Sequence, residues 1–126
     1  MSHARSAREF MVRNIPKLVS KETRAVALHV LSGVVMRTPV DTGRARGNWN
    51  TALGVASGRV SDSRDPGGGN TVAAGSRVIG GHRDFQQIVI DNNLPYITRL
   101  NDGHSRQAPA GFVEAVIASV GAGRRE

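Results

Sequence analysis

The sequence predicts a small α+β fold in which a long N-terminal helix and a C-terminal helix pack on a small, mostly antiparallel sheet. Three observations carry this prediction. Apolar residues recur at spacings of three and four from Pro16 to Arg37, which is typical of a helix. Residues 88–90 (Ile-Val-Ile) are β-branched throughout, which favours a strand. Between Ala108 and Val120 the large apolar residues share one helical face.

The first half of the chain is predicted to be mainly helical. A short helix over residues 2–14, frayed at its start, precedes Pro16, which is tolerated in the first turn of the long helix. That helix ends at Thr38-Pro39, because the residue before a proline is disfavoured in the α region. Asp41-Thr42-Gly43 then predicts a turn. From Asn48 to Val60, a weak alternation of larger and smaller residues predicts a strand.

The second half is predicted to begin with a long flexible Gly-rich loop over residues 57–70, which lack periodicity. A helix over Thr71–Gly80 follows, opened by Asn70 or Thr71. The remaining predicted elements are a strand at Phe85–Asp91, a turn at 92–95, a short element at Tyr96–Leu100, the terminal helix and a disordered tail at 121–126.

A chain of 126 residues is long enough for a single domain, spanning 1–126, and too short for two separate cores. Its few strands do not make an extensive sheet. We therefore expect the exposed strand edges to be covered or to pair with another chain.

The net charge of +7 is concentrated in residues 1–50, where nine lysines and arginines face three carboxylates. Fifteen of the 17 cations are arginines, whose planar guanidinium suits carboxylate or phosphate partners. This pattern fits either a nucleic-acid surface or a solvated helix face. The chain has no cysteine, which excludes disulfides and thiolate metal sites, and no apolar run of the length of a signal peptide or membrane span. The composition therefore predicts a protein of a reducing compartment.

The sequence contains residues that resemble parts of catalytic, phosphate-binding and metal-binding motifs. The triplet Asp41-Thr42-Gly43 occurs in retroviral-type aspartic proteases, where it follows an apolar strand and precedes a small residue. Here it follows a predicted helix and precedes Arg44. Residues 67–69 (Gly-Gly-Gly) lack the Lys-Ser/Thr ending of a phosphate-binding loop. The histidines are too far apart in sequence to suggest a metal site: His3, His29, His82 and His104. The sequence thus predicts no enzyme, catalytic residue, metal or cofactor.

Nucleic-acid binding is an alternative from a different class. Arg44, Arg46 and Trp49 could combine phosphate contacts with base stacking. The chain carries no helix-turn-helix, zinc-finger or RNA-recognition signature. Packing of the single tryptophan against the long helix is the favoured explanation of Trp49.

Two segments together suggest a family. Residues 39–49 read Pro-Val-Asp-Thr-Gly-Arg-Ala-Arg-Gly-Asn-Trp, and residues 92–112 read Asn-Asn-Leu-Pro-Tyr-Ile-Thr-Arg-Leu-Asn-Asp-Gly-His-Ser-Arg-Gln-Ala-Pro-Ala-Gly-Phe. The first resembles the Pro-Val-Asp-Thr-Gly-(Arg/Leu) segment after the first long helix in a family of small neck proteins of long-tailed bacteriophages. The second resembles that family's pattern Asn-Asn-x-Pro-Tyr-x-x-x-Leu-Glu-x-Gly-x-Ser-x-Gln-Ala-Pro-x-Gly. It departs from the family at Asn101-Asp102, where the family usually has Leu-Glu followed by one residue.

The resemblance implies a structural virion protein of the phage neck, made in the host bacterial cytoplasm. Such a tail-terminator or tail-completion protein forms a ring with copies of itself, usually hexameric. The ring caps the tail tube protein and joins it to the head–tail connector (stopper or adaptor) protein, and genome DNA passes through its lumen without sequence-specific binding. It implies no catalysis, no cofactor and no membrane contact. A head–tail adaptor or stopper at another neck position is the alternative within this class.

Two sets of residues follow from this resemblance and from the charge pattern. One set is predicted to contact partners or neighbouring subunits: Arg44, Arg46, Arg59, Arg64 and Asp65. The other is predicted to set turns and pack the domain: Pro39, Asp41, Thr42, Gly43, Trp49, Pro95, Tyr96, Gly103, Gln107, Pro109 and Gly111.

Overall fold

Five helices and two strands form residues 20–83, 85–103 and 110–123, the part of the chain that this computed structural model describes. In chain order the elements are α1 (Ser20–Arg37), α2 (Arg44–Gly47), β1 (Trp49–Leu53), α3 (Gly69–Gly80), β2 (Ile88–Asn92), α4 (Ile97–Asn101) and α5 (Phe112–Gly123). The predicted α+β class is confirmed. The helix predicted over residues 2–14 and the first residues of the long helix lie outside the described part.

Helix α1 runs through the centre of the apolar core. Val26, Val30 and Val34, three of the residues whose spacing predicts the helix, are buried. The helix contacts α3, α5 and both strands, so it is covered on more than one side, as the wide apolar face predicts. Leu28 lies instead on the exposed side of α1 with 41% of its surface accessible.

The sheet consists of β1 and β2, which pair antiparallel with Trp49 opposite Asn92 and Leu53 opposite Ile88. Among the described residues, the two strands pair only with each other. Gly54, directly after β1, donates its N–H to the Gln87 carbonyl. Because hydrogen-bonded residues alternate along an antiparallel pair, Asn50 and Ala52 are the residues of β1 that bond to β2. The backbone groups of Trp49, Thr51 and Leu53 therefore point away from β2, and this edge of β1 carries no further strand in the described structure.

Both strands differ from their predicted bounds. The strand predicted from Asn48 to Val60 ends at Leu53, because Gly54 turns the chain with φ 86°. The second strand begins at Ile88, three residues after its predicted start, because Phe85 has φ 66° and breaks the extended backbone. It also continues through Asn92, which the sequence assigns to a turn.

Helix α3 begins at Gly69, before the predicted start at Thr71. Neither Asn70 nor Thr71 is its cap residue, because Gly68 precedes the helix in the left-handed conformation with φ 79°. The irregular segment before α3 therefore spans residues 54–68 and is called the connecting loop below. The flexibility that its composition predicts stays a prediction.

The C-terminal region is organised around Asn101, the last residue of α4. Its carboxamide oxygen accepts a hydrogen bond from Val113 N–H at 2.9 Å, and its backbone carbonyl accepts one from Gly111 N–H. Gly111 has φ 80° directly before α5, which agrees with the prediction that it sets a turn of the backbone. Helix α5 packs chiefly against α1 and continues through Gly123, into the segment predicted to be a disordered tail.

We predict that Gly75→Ala destabilises the protein, whereas Gly80→Ala does not. A Cβ at Gly75 would lie 2.3 Å from Leu31 Cδ2 and 2.6 Å from Thr51 Oγ1, so α3 could not keep its distance from α1 and β1. Overpacking of this kind costs about 1–3 kcal/mol, partly offset by up to about 1 kcal/mol of helix propensity. Gly80 has no atom within 4 Å of the added Cβ. Urea unfolding of both variants checks the contrast, and equal stabilities would contradict it.

Candidate functional site

Arg46 of α2 belongs to residues 39–49, called the first signature segment, and residues 92–112 are the second signature segment. The Arg46 side chain donates from Nε to the Thr38 carbonyl at 2.9 Å, from Nη1 to the Pro66 carbonyl at 2.9 Å and from Nη2 to the Met36 carbonyl at 2.8 Å. Two of these acceptors are at the C-terminal end of α1, where carbonyl groups lack partners within the helix. Arg46 thus caps α1 and ties the connecting loop to it, an internal role that differs from the predicted partner contact.

Thr38 and Trp49 extend this arrangement into the core. The Trp49 indole Nε1–H donates to Thr38 Oγ1 at 2.8 Å, and that hydroxyl donates in turn to the Val34 carbonyl at 2.6 Å. Trp49 is only 4% exposed and belongs to the apolar cluster. The packing explanation of Trp49 agrees with these contacts, and the indole face is not accessible for stacking on a base.

Gly43 is where the connecting loop closes against the start of α2. It has φ 86°, and a Cβ built on it would lie 2.4 Å from the Pro66 nitrogen. Its carbonyl accepts hydrogen bonds from the N–H groups of Gly47 and Asp65. Only glycine meets both requirements, the positive φ and the close approach of Pro66. The predicted structural role of Gly43 therefore has a clear geometric basis.

Asp65 caps α3 from the connecting loop. Its Oδ2 accepts from the Thr71 N–H and from the Thr71 hydroxyl, both at 2.7 Å, and the residue is 7% exposed. A carboxylate at a helix N-terminus satisfies an unpaired N–H and interacts favourably with the helix dipole. Asp65, like Arg46, thus has an internal role, and partner contact by either residue stays a prediction.

Asparagine side chains attach the rest of the connecting loop to β1. Asn48 accepts from Ser61 N–H and donates to the Ser61 carbonyl, and Asn50 donates to the Arg59 carbonyl at 2.9 Å. Asn50 also donates to Oδ1 of the buried Asp91 at 3.2 Å. The Oδ2 atom of Asp91 has no hydrogen-bond partner within the described ranges. These asparagines were not among the predicted site residues, although they stand out in the sequence beside Trp49.

The two signature segments meet in the sheet. Asn92, in the second segment, lies opposite Trp49 in the ladder and donates from Nδ2 to the Ala45 carbonyl at 2.9 Å. Its Oδ1 accepts from Leu94 N–H, which shapes the turn before Tyr96. Tyr96 packs against the core and Pro95 is exposed. Gly103 has φ 92° against Ala110, while Gln107 and Pro109 lie outside the described residues.

The remaining predicted contact residues lie at the surface. Arg59 and Arg64 are exposed at an open cavity of about 330 Å³ between β1, the connecting loop and α3. Neither guanidinium has a hydrogen bond or ion pair with another described residue. Arg44 donates to the Ser61 carbonyl and lies 3.4 Å from the fully exposed Asp62 carboxylate. For these three arginines, partner contact stays a prediction.

Asp41 and His29, which were considered for catalytic and metal sites, lie in different parts of the fold. Asp41 is exposed on a bend after α1, not at the end of a strand, and Arg44 opens the helix that follows. His29 is on α1, where its Nε2–H donates to Ser119 Oγ at 2.7 Å. Within the described ranges, no group of three or more metal-ligating side chains comes together. No helix in these ranges is both long and apolar enough to cross a membrane.

Comparison with known proteins gives no relative: no family model, no curated protein and no solved structure matches this chain.

Replacing Arg46 with lysine is expected to lower the free energy of unfolding by about 2 kcal/mol, because an ammonium cannot bond the same three carbonyl groups from one rigid plane. Arg64→Lys is the matched control and is expected to change stability by less than about 0.5 kcal/mol, since Arg64 makes no internal bond among the described residues. The single tryptophan, Trp49, lies beside the site and reports unfolding by fluorescence. Equal losses in both variants would contradict the capping role.

Replacing Asp65 with alanine is expected to cost about 1 kcal/mol, because the Thr71 N–H and hydroxyl lose their shared acceptor. The control is Asp62→Ala, at a side chain that is fully exposed. Chemical denaturation of the two variants gives the comparison. If Asp65→Ala were as stable as the control, Asp65 would not cap α3.

Proposed function

We propose that this chain is a structural virion protein of a bacteriophage neck, which forms a ring that completes the tail tube and joins it to the head connector. One observation supports the proposal most directly. The two segments that resemble the neck family are far apart in sequence, and they meet through the Trp49–Asn92 pair and the Asn92–Ala45 hydrogen bond. Two motifs of one family are expected to share one structural unit.

The sheet gives a second argument for assembly. A two-stranded sheet is marginally stable alone, and an open edge is a template for pairing with another chain. The outer edge of β1 meets no further strand within the described ranges. In a ring each subunit has neighbours on two sides, so a surface that is incomplete in one copy is completed by the next.

The surface charge supports partners that carry carboxylates. The guanidinium groups of Arg59 and Arg64 have no partner among the described residues, and both residues line the same open cavity. Guanidinium groups form bidentate bonds with carboxylates, so this pair suits an acidic tail-tube or connector surface. The same surface would serve a head–tail adaptor or stopper, which is the alternative position in the neck.

Assembly of the purified chain tests the proposal. We expect mass photometry and negative-stain microscopy to show rings, either of the chain alone or at one end of uncapped tail tubes from the phage that encodes it. A chain that stays monomeric at all concentrations and ignores tubes would contradict the proposal. Binding to random duplex DNA with a steep salt dependence would instead favour the nucleic-acid alternative.

The double variant Arg59→Glu/Arg64→Glu is expected to weaken binding to the acidic tail partner at least about tenfold, because two attractive charges become repulsive. Its thermal stability should match that of the unmodified chain, since neither side chain bonds to another described residue. The control is Arg77→Glu, an exposed arginine on α3 that does not line the cavity. Biolayer interferometry on immobilised tail tubes measures the affinities of both variants and gives the comparison. An equal loss in the control would show that only net charge matters.

A further inference from the structure

Phe85 is the most exposed large apolar side chain in the described structure. It is 99% accessible, in the turn that joins α3 to β2. Its φ of 66° is in the left-handed region, which is unfavourable for a bulky side chain. Both the exposed apolar ring and the strained backbone of Phe85 are energetically unfavourable in an isolated subunit. Strained residues of this kind concentrate at functional sites.

The turn that carries Phe85 is held by a set of hydrogen bonds. The buried His82 donates from Nε2 to the Gln86 carbonyl at 2.6 Å, and the Gln86 side-chain oxygen accepts from Arg83 N–H. Arg24 of α1 donates to the His82 carbonyl at 3.0 Å. The turn is thus anchored to the central helix at one side and closed across its base.

The exposed side of α1 has a shape that fits such a side chain. An open groove of about 580 Å³ is lined by Ala25, Leu28, His29, Ser32, Gly33 and Arg37. These residues recur at three- and four-residue spacings and so share one face of the helix. Leu28 and the neighbouring Met36 are 41% and 50% exposed. Gly33 also lines the groove, and a Cβ there would lie 2.7 Å from Cγ1 of the buried Val116, so the absence of a side chain lets α5 pack closely against α1.

We propose that Phe85 of one copy inserts into the α1 groove of a second copy of this chain. Phe85 is almost fully exposed, so it does not occupy the groove of its own subunit. The turn and the groove are different parts of the surface, so the contact can repeat head to tail from copy to copy. Each copy then offers a free groove to one neighbour and a free Phe85 to the other, and repetition gives a closed ring or an open filament. The inference rests on the proposed ring and names the contact that builds it.

Charged residues lie beside both surfaces. Arg83 is exposed two residues before Phe85. On α1, the exposed Glu22 is one turn before Ala25, and Arg37 lines the opposite end of the groove. Because copies with a net charge of +7 repel one another, self-association needs apolar burial together with local attraction between opposite charges.

Cysteine crosslinking between two single variants tests the contact, since the chain has no native cysteine. Arg83→Cys marks the turn without removing Phe85, and Ser32→Cys marks the groove. With a short bis-maleimide we expect covalent dimers from the mixture, and at least about tenfold fewer from either variant alone. A mixture of Arg83→Cys with Val55→Cys, at a side chain 77% exposed elsewhere, is the matched control.

Adding Phe85→Gly to the Arg83→Cys chain should reduce the dimer yield to that of the control. Glycine accepts the φ of 66°, so the melting temperature should stay the same or rise, and a lost crosslink cannot be ascribed to misfolding. Undiminished crosslinking without Phe85, or equal yields with Ser32→Cys and Val55→Cys, would overturn the inference. If rings form while this result is negative, the proposed function stands and this contact is wrong. If neither rings nor crosslinks form, both the proposed function and this contact are wrong.

Discussion

The end of α1 is the point on which the rest of the structure depends. A long central helix leaves carbonyl groups without partners at its C-terminus, and these must be satisfied before neighbouring segments can pack there. Arg46 satisfies two of them and uses its remaining bond on Pro66 of the connecting loop. Thr38 links the same helix end to the indole of Trp49 in β1. One turn of chain thereby fixes the positions of α1, the sheet and the loop.

This arrangement gives a physical account of the first signature segment. Gly43 and Arg46 are each required by a specific contact, whereas Asp41 and Thr42 lie exposed on the bend before them. The second segment has the same character: Asn92 bonds to Ala45, and Asn101 holds the start of α5. The Asn101 carboxamide oxygen accepts a hydrogen bond from the Val113 N–H. The contacts of both segments therefore serve the internal packing of the fold.

The sequence predicted best what depends on local periodicity. Helix α1, the core of β2 and helix α5 follow from apolar spacing and β-branching, and all three elements are present, although β2 is Ile88–Asn92 and α5 begins only at Phe112, after Gly111 with φ 80°. The ends of elements depend on contacts that are distant in sequence. Asp65 lets α3 begin early, and Gly54 ends β1. Contacts between distant residues also determine the site. Charge and composition predicted partner contacts for Arg46 and Asp65. Only the folded chain shows that Arg46 bonds to three carbonyl groups and that Asp65 bonds to the start of α3.

The connecting loop is held by hydrogen bonds and not by packing in the apolar core. None of its residues belongs to the apolar cluster, and Val55 and Val60 are exposed. Hydrogen bonds from asparagine and arginine side chains hold it in place, so it can detach while α1 and the sheet stay folded. Segments of this type open at a lower free energy than the whole domain. We therefore expect the loop to open as a cooperative unit of its own, with its amides exchanging with deuterated solvent earlier than those of α1.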